Sequence, residues 1–267
     1  MHPVIDWSRR LALLVAACAL SGGSAHAEQV AAAYRATWAG LPAGEIRLSL
    51  GQSGGDYRNE IEIVSAGLPR LLTKFRALAV DGGRMALDGT VTPSEYDARY
   101  DLRKRRDSRV NLTYVEHDGA VIAERGTTDT SRKPPLAESF RRDALDPLLA
   151  LAVVRHELGA HRGAQRQFVV PIFDGARRFD VVANVIDPDT TDHLIRLKLS
   201  LRPIAGFKGE SSEDGDPDSA PRPVDAAFSD DAALLLVSLR VSIAYLPLEI
   251  RLVRRCDSFE TCADVAR

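Results

Sequence analysis

Most of this sequence from residue 28 onward alternates apolar and polar side chains with a period of two. In the stretch EIRLSL, Ile46, Leu48 and Leu50 fall on one side of an extended chain, and charged or small polar residues fall on the other. The same alternation recurs in NEIEIV, YDARYDL, DHLIRLKLSL and LEIRLV. Because successive side chains of a strand point to opposite faces of a sheet, this pattern predicts half-buried antiparallel strands.

Turn signals separate the alternating stretches. They include GQSGGD after EIRLSL, DGG after FRALAV, EHDG before AVIAER, and DPDT near residue 188. Together these signals predict about ten or eleven strands. An open sheet with so many strands curls on itself. The sequence therefore predicts a mainly β fold, in which a single curved antiparallel sheet closes into a barrel or half-barrel.

One stretch has the signals of a helix. Asp146 suits the N-cap, Pro147 suits the first helical position, LLALAVVRHEL follows, and Gly159 can supply a left-handed ending. The segment from Leu148 to Val154 is apolar on every side, which is typical of a buried helix rather than an amphipathic one. We therefore expect one buried helix against the curved sheet.

Residues 1–27 have the three parts of an export signal. Arg9 and Arg10 end a basic stretch, LALLVAACAL is apolar, and small residues lead to Ala27. The apolar run has about ten residues against the about 20 that a spanning helix needs. We expect a periplasmic protein without a transmembrane segment in the mature chain. An alternative is that VAAC is a lipoprotein box, so that a lipid on Cys18 anchors the protein.

Two cysteines, Cys256 and Cys262, remain after the predicted signal, in the stretch CDSFETC. In an oxidising compartment, two thiols this close favour a disulfide. Closing so short a loop is worth about 2 to 3 kcal/mol in the chain-entropy view. A reactive or metal-binding pair is the alternative, although no histidine adjoins it.

The remainder, 28–267, is predicted to be a single β-rich domain with a flexible acidic insertion at 206–223. The insertion is rich in Gly, Ser, Pro and acidic residues and has too few apolar residues to hold a fold. Without Asp6, Arg9 and Arg10, the totals of 35 basic and 37 acidic residues fall to 33 and 36, a net charge of −3. A general nucleic-acid binder needs a clustered basic surplus, so nucleic acid is not an expected partner.

The stretch HELGAH resembles a zinc-protease motif. That motif places two histidines four residues apart, so that both reach one metal ion. Here His156 and His161 are five residues apart, and Gly159 is expected to end the helix between them. The sequence therefore favours no metal site here, and it predicts no cofactor.

Three other patterns have ordinary structural explanations. The letters of a nucleophile elbow at Gly51–Gly55 lie between two strands instead of before a helix. Asp214, Asp216 and Asp218 begin like a calcium loop, but later positions do not fit. The basic run from Arg103 to Arg109 is expected at a hairpin turn, with contact to anionic lipid headgroups as the alternative.

The stretch from Tyr34 to Glu45, YRATWAGLPAGE, predicts a hairpin of two strands. Gly40 and Gly44 are placed for close backbone approach, and Trp38 offers a large packing surface. We find no reactive group in this hairpin.

At this hairpin the chain resembles the bacterial envelope family known as domain of unknown function 3108. The resemblance rests on four elements: Tyr34, Trp38, Gly40, Leu41, Ala43, Gly44 and Glu45 in the hairpin; Thr92, Pro93 and Tyr96; Asp146, Pro147, Leu148 and Arg155; and Leu246 to Glu249. The family has no established activity, so the resemblance implies no catalytic residues. It implies an exported β-rich protein, similar in outline to lipoprotein carriers of the LolA and LolB kind, a likeness of fold alone.

These observations favour a non-enzymatic periplasmic protein that binds a lipid or acyl chain on the concave face of its curved sheet. The alternative is a structural or assembly factor of the cell envelope, with a solid core and an envelope protein as its partner. An enzyme would require the fold to bring His117, His193 and nearby carboxylates together, which sequence spacing does not test.

Overall fold

The computed structural model describes residues 28–67, 69–70, 74–102, 105–126, 136–186, 192–207, 220–243 and 245–266. The predicted signal peptide and residues 208–219 of the predicted insertion lie outside the described residues. Within them the chain forms the following elements: β1 (Glu28–Trp38), β2 (Leu41–Ser53), β3 (Asp56–Ser65), β4 (Arg76–Met85), β5 (Val91–Leu102), β6 (Arg105–His117), β7 (Ala120–Arg125), α1 (Glu138–Arg141), α2 (Pro147–Ala160), β8 (Gln167–Phe173), β9 (Arg178–Val185), β10 (Leu194–Ala205), β11 (Arg222–Ser229), β12 (Leu236–Ile243), β13 (Leu246–Cys256) and a 3₁₀ helix (Glu260–Ala266).

The strands form one antiparallel sheet. Its order is β7-β6-β5-β4-β3-β2-β1-β13-β12-β11-β10-β9-β8. Strands that follow one another in the chain pair, except β7 and β8, which are the two edges of the sheet, and β1 pairs with β13 in addition to β2. The sheet curls until it is nearly closed into a barrel. The predicted mainly β fold with a single curved antiparallel sheet is confirmed, with thirteen strands among the described residues rather than ten or eleven.

Because neighbouring strands run in opposite directions, their turns collect at two ends of the barrel. The turns at 54–55, 86–90, 118–119 and 230–235 lie at one end, which α2 covers; we name it the helix end. The turns at 39–40 and 174–177 and the turn between β12 and β13 lie at the other end, which we name the tip end.

The chain segment before α2 closes the gap between the two edge strands. Asp143 N donates to Val121 O of β7 at 2.7 Å, and Val121 N donates to Asp143 Oδ1 at 3.0 Å. Leu145 N donates to Pro171 O of β8 at 2.9 Å, and Phe173 N donates to Leu145 O at 2.8 Å. Exposed strand edges carry backbone N–H and C=O groups without hydrogen bonds. This segment supplies hydrogen-bond partners for some of those groups on both β7 and β8.

Helix α2 fills much of the barrel interior. Leu149, Val154 and Leu158 pack against β8 to β11, whereas Leu148 packs against the wall formed by β1 to β7. Its low amphipathicity agrees with this position, because a helix between two walls buries more than one face.

A C-terminal cap covers part of the outer face. Ala31 and Ala33 of β1 are small and point outward, which leaves room for Cys262 of the 3₁₀ helix. The predicted disulfide between Cys256 and Cys262 is confirmed, with 5.5 Å between the Cα atoms. The Arg47 guanidinium lies 4.6 Å from the centroid of the Phe259 ring, which extends the cap to β2.

Two expectations about glycines are wrong. The stretch DGG lies inside β4 instead of forming a turn. Gly83 allows close approach there, since a Cβ at this position would lie 2.5 Å from Thr92 O and 2.8 Å from Tyr57 Oη. Gly159 does not end α2, which continues to Ala160 with His161 as its C-cap. A Cβ at Gly159 would lie 3.1 Å from Leu234 Cδ1, so this glycine allows the helix to approach the 230–235 turn.

The family hairpin differs from its predicted packing. Trp38 lies at the tip end with 38% of its surface exposed. Gly40 has a φ of 80° in the turn, and nothing lies within 4 Å of its hypothetical Cβ, so it serves the turn conformation. Gly44 does permit close approach, since a Cβ there would lie 3.0 Å from Val64 O.

Two smaller features also differ from the prediction. Helix α1, one turn long, was not predicted. Strand β11 begins at Arg222, so the last two residues of the predicted insertion belong to the sheet.

Candidate functional site

A cleft of about 390 Å³ lies at the helix end, between α2 and the inner face of β2, β3 and β4. This volume lies within the range of about 300 to 1,000 Å³ that small-molecule sites occupy. The sheet contributes its floor, and the last two turns of α2 and the 230–235 turn form its other walls. Its lining residues are Leu50, Gly51, Gln52, Tyr57, Asn59, Met85, Leu87, Ala152, Arg155, His156, Gly159, Ala160, Arg162, Ala232 and Leu234.

Two hydrogen-bond donors in the cleft floor have no partner among the described residues. Tyr57 Oη and Asn59 Nδ2 belong to buried side chains that line the cleft. Along β3 the side chains alternate between the two faces of the sheet, and these two lie on the inner face. A buried polar group without a hydrogen bond costs about 1 to 3 kcal/mol. A ligand that accepts hydrogen bonds would remove that cost.

Three basic side chains stand at the cleft wall. Arg155 Nε donates to Ala233 O at 2.7 Å, and Arg162 Nη1 donates to Asp230 Oδ1 at 3.0 Å. His156 packs against the β4–β5 turn, where a Cβ on Gly89 would lie 2.4 Å from its Nε2 atom. Among the described residues that line the cleft, none is a carboxylate.

The apolar part of the lining comes from β2, β4, α2 and the 230–235 turn. Leu50, Met85 and Leu234 are buried in the core around the cleft, and Ala152 is half-buried on α2. The cleft therefore combines apolar walls with donors and cations. Such a lining suits a small amphiphile with an acceptor-rich or anionic head.

A pair of buried carboxyl groups lies beside the cleft floor. Asp146, the N-cap of α2, accepts hydrogen bonds at Oδ1 from Leu148 N and Leu149 N, each at 2.9 Å. Its Oδ2 accepts from Tyr114 Oη at 3.2 Å. Asp81 of β4 accepts at Oδ1 from Asn59 N at 3.1 Å. Both aspartates have 0% exposure. Their hydrogen bonds connect Asp146 at the start of α2 with β6, and Asp81 of β4 with β3.

Burial raises the pKa of both aspartates. Burial, followed by the nearby Asp146 carboxylate, raises the pKa of Asp81 to about 9. Burial also raises the pKa of Asp146 to about 6, although the hydrogen bonds from Leu149 and Leu148 favour its ionised form. The pair therefore carries about one negative charge near neutral pH, beside the positive end of the α2 dipole.

This carboxyl pair resembles the shared-proton dyads of some acid–base enzymes in its pKa shifts. Catalysis requires contact with a substrate, however, and neither aspartate reaches solvent or lines the cleft. Their bonding to the helix start and to the sheet indicates a role in holding α2 in position.

The histidine and serine motifs do not form a reactive centre in the described residues. His156 lies on α2 and His161 caps it, and His161 Nδ1 lies 3.8 Å from Glu157 Oε2. His117 lies 3.5 Å from Asp118 in an exposed turn, and His193 is exposed. Across the described part of the chain, no group of three His, Cys, Asp or Glu side chains could hold a metal ion.

The other motif positions divide between a turn and a region outside the structure. Residues 54–55 form the β2–β3 hairpin turn, so the elbow-like letters precede a strand. Asp214, Asp216 and Asp218 lie outside the described residues. None of the helices that the structure describes is long and apolar enough to cross a bilayer.

The family-like residues separate into three places. Tyr34 and Tyr96 belong to the buried core against the β1–β7 wall, whereas Asp146 and Pro147 begin α2. Trp38, Gly40 and Glu45 lie toward the tip end, where Trp38 pairs with Leu248 of the L-P-L-E stretch. Among the family-like residues, Arg155 of α2 lines the cleft and the others do not.

Tyr57, Asn59 and Asp81 were not predicted from the sequence as site residues. A signal for Asp81 was present, because period two places it on the same side as Ala77 and Ala79, both buried. Asn59 likewise alternates onto the side of Ile61. A polar residue at an inward position is an indicator of an internal polar site.

The fold and the cleft define a class: barrel-like β proteins with an internal helix. Within that class, residues 33–203 match a family model described as a protein of unknown function (DUF3108), which covers more than half of the chain. The chain belongs to this family. A search of curated proteins found no match.

A solved structure with a similar fold is a crystal structure of a beta-barrel-like protein of domain of unknown function DUF1849 from Brucella abortus. The TM-score is 0.52 at 11% sequence identity, over 86% of this chain and 98% of that one. At this identity the likeness concerns the fold alone.

Proposed function

We propose that this chain is a non-enzymatic periplasmic protein that binds a small amphiphile, such as a fatty acid or other acyl-chain lipid, in the cleft at the helix end. The observation that carries the proposal is the lining of this cleft. Apolar side chains there adjoin two unpartnered donors, Tyr57 Oη and Asn59 Nδ2, together with basic side chains.

The location of the ligand differs from the one expected from the sequence. Helix α2 occupies much of the concave face, since Leu148 and Leu149 are buried between it and the sheet. The cleft beside the end of α2 offers space that the helix leaves. An acyl chain would lie against Leu50, Met85 and Leu234, with its head toward Asn59.

Export to the periplasm is supported by the three-part signal at 1–27 and by the disulfide. Disulfides form and persist in oxidising compartments. The non-enzymatic role is supported by the enclosure of Asp81 and Asp146, the described carboxyl groups with strongly raised pKa values, in the core.

Native mass spectrometry and displacement of a fluorescent fatty acid test the ligand. We expect adducts in the purified protein, and we expect dodecanoic acid to bind more tightly than dodecanol, because the cleft offers donors and cations to a carboxylate. An apo mass without adducts, combined with no uptake of the fluorescent acid, would refute the proposal.

A cleft-filling variant tests the location. Ala152→Trp places a large ring in the cleft and should weaken fatty-acid binding by about tenfold or more, equivalent to about 1.4 kcal/mol. Ala164→Trp is the matched control, because Ala164 is exposed in the loop after α2 and does not line the cleft. Equal loss in both variants would place the ligand elsewhere.

A structural or assembly factor of the cell envelope remains the second candidate. The extent to which α2 fills the barrel favours it, since a well-packed interior needs no ligand for stability. In that case the protein should stay free of lipid in the measurements above and should co-purify with an envelope protein in stoichiometric amount.

A further inference from the structure

An exposed apolar surface lies at the tip end, opposite the cleft. It is formed by two adjacent hairpin turns, because Trp38 pairs with Leu248 and Ala39 N donates to Pro247 O at 2.8 Å. We name this surface the apolar rim; its side chains are those of Trp38, Leu41, Ile243, Tyr245 and Leu246, all exposed. Soluble proteins normally expose large apolar side chains singly, and contiguous ones mark interaction sites.

Within this rim, Tyr245 has two unusual properties. Its side chain is 99% exposed, and its backbone φ is 66°, in the left-handed region. That conformation costs an ordinary residue about 1 to 2 kcal/mol, whereas glycine or asparagine adopts it more easily. Since the folded chain gains no packing from the ring, the position is costly for folding alone. Strain of this kind points to a function for the residue.

Basic residues accompany the apolar rim. Arg70 and Lys74, in the turn between β3 and β4, are exposed at the same end of the barrel. By contrast, Val169, which lies near the helix end of β8, is 52% exposed and belongs to neither the rim nor the cleft.

We propose that the apolar rim docks onto the surface of an anionic phospholipid bilayer. Trp and Tyr side chains favour the level of the lipid headgroups, where an apolar ring and a polar atom are both satisfied. Basic side chains beside them gain about 1 kcal/mol each from an anionic surface. Trp38 and Tyr245 therefore enter the headgroup layer, and Arg70 and Lys74 bind lipid phosphates. This proposal is independent of the amphiphile in the cleft.

Vesicle sedimentation tests the docking. The purified protein should sediment with vesicles that contain phosphatidylglycerol and should bind pure phosphatidylcholine vesicles more weakly, with a difference that shrinks in high salt. The double variant Leu41→Ser with Tyr245→Asn should lose about tenfold or more in affinity. Val169→Ser, which removes a side chain about as exposed as that of Leu41 near the helix end and outside the cleft, should bind like the unmodified protein.

Tryptophan fluorescence supplies a second readout. Trp38 is the only tryptophan after residue 27. Its emission should shift to shorter wavelength when anionic vesicles are added, and Trp38→Phe should abolish that shift. Tyr245→Asn should keep the thermal midpoint of the protein, which shows that lost binding is not lost folding.

Three outcomes would overturn the proposal. The first is no binding to any vesicle, and the second is equal binding by the Val169→Ser variant and the rim variant. The third is a dimer that the rim variant dissociates while vesicles remain unbound. The last result would make the rim a contact between two copies of the chain.

Discussion

The helix end and the tip end of the same barrel are stabilised to different degrees. At the helix end, α2 enters the barrel, the Asp81 and Asp146 pair fixes its start, and the disulfide holds the cap on the outer face. At the tip end, the described hairpin turns expose Trp38 and Tyr245 to solvent.

This difference shows that the exposure of an apolar residue depends on whether it lies in the packed interior or in a turn at the tip end. Leu149 and Leu41 are the same residue type, yet the first, in α2, has 0% exposure and the second is 54% exposed in the rim. The first stabilises the fold, whereas the second is available to a partner. Substitutions at the two ends should therefore separate stability from binding.

The largest expected effect is in the buried helix α2. Leu149→Ala should lower the free energy of unfolding by about 2 to 5 kcal/mol, because it removes buried methyl groups and leaves a cavity. Leu41→Ala, its counterpart in the rim, should change it by less than about 0.5 kcal/mol. Urea unfolding followed by circular dichroism measures both. Similar losses in the two variants would break the comparison.

Removing the disulfide should have the next largest effect. Replacing Cys256 and Cys262 with alanine should cost about 2 kcal/mol, since the unfolded chain regains the freedom of a short loop. Thermal unfolding of the oxidised protein, the reduced protein and the double variant checks this. If reduction leaves the midpoint unchanged, the cap contributes through packing alone.

The buried carboxyl pair should make stability depend on pH. The pKa of Asp81 is raised to about 9 in the folded state, above its value of about 3.9 in an unfolded chain. The folded state therefore binds more protons across this range, and stability falls as pH rises through it. Asp81→Asn keeps an acceptor for Asn59 N and should reduce that fall, by at most about 1.4 kcal/mol per pH unit.

Urea unfolding at about pH 6 and about pH 8 measures this difference. Glu249→Gln is a suitable control, because its hydrogen bond from Arg240 lowers the pKa of Glu249, so that this carboxyl is ionised in both states across that range. A slope in Asp81→Asn equal to that of the unmodified protein would show that the pair holds no extra proton.

The smallest expected effect on stability is at Tyr245. Tyr245→Asn should leave the free energy of unfolding unchanged or raise it by up to about 1 kcal/mol, because asparagine tolerates a positive φ. Differential scanning calorimetry can resolve this change. A clear loss of stability would mean that the tyrosine ring supports the fold, contrary to its exposure.

Local patterns predicted much of the fold. The alternation of Ile46, Leu48 and Leu50 identified the inner face of β2, because only two faces exist and one is buried. The stretch from Asp146 to Leu158 identified the buried helix for a similar reason. The DGG stretch was misleading, since glycine favours turns and also permits close strand contacts, and the sequence does not distinguish these uses.

The cleft was beyond the reach of the sequence. Its residues come from β2, β3, β4, α2 and the 230–235 turn, and only the curl of the sheet brings Asn59 and Arg155 to one place. The apolar rim has the same origin, because Trp38 and Tyr245 are about 200 positions apart and meet only through the pairing of β1 with β13.

The sequence by itself determined the strands, the buried helix and the short disulfide loop, because periodicity, capping and close cysteines act between residues that are near in the chain. The tertiary structure decided the closure at Asp143 and Leu145, the partnership of Asp81 with Asp146, and the two opposite ends. These features depend on long-range register, which no local preference specifies.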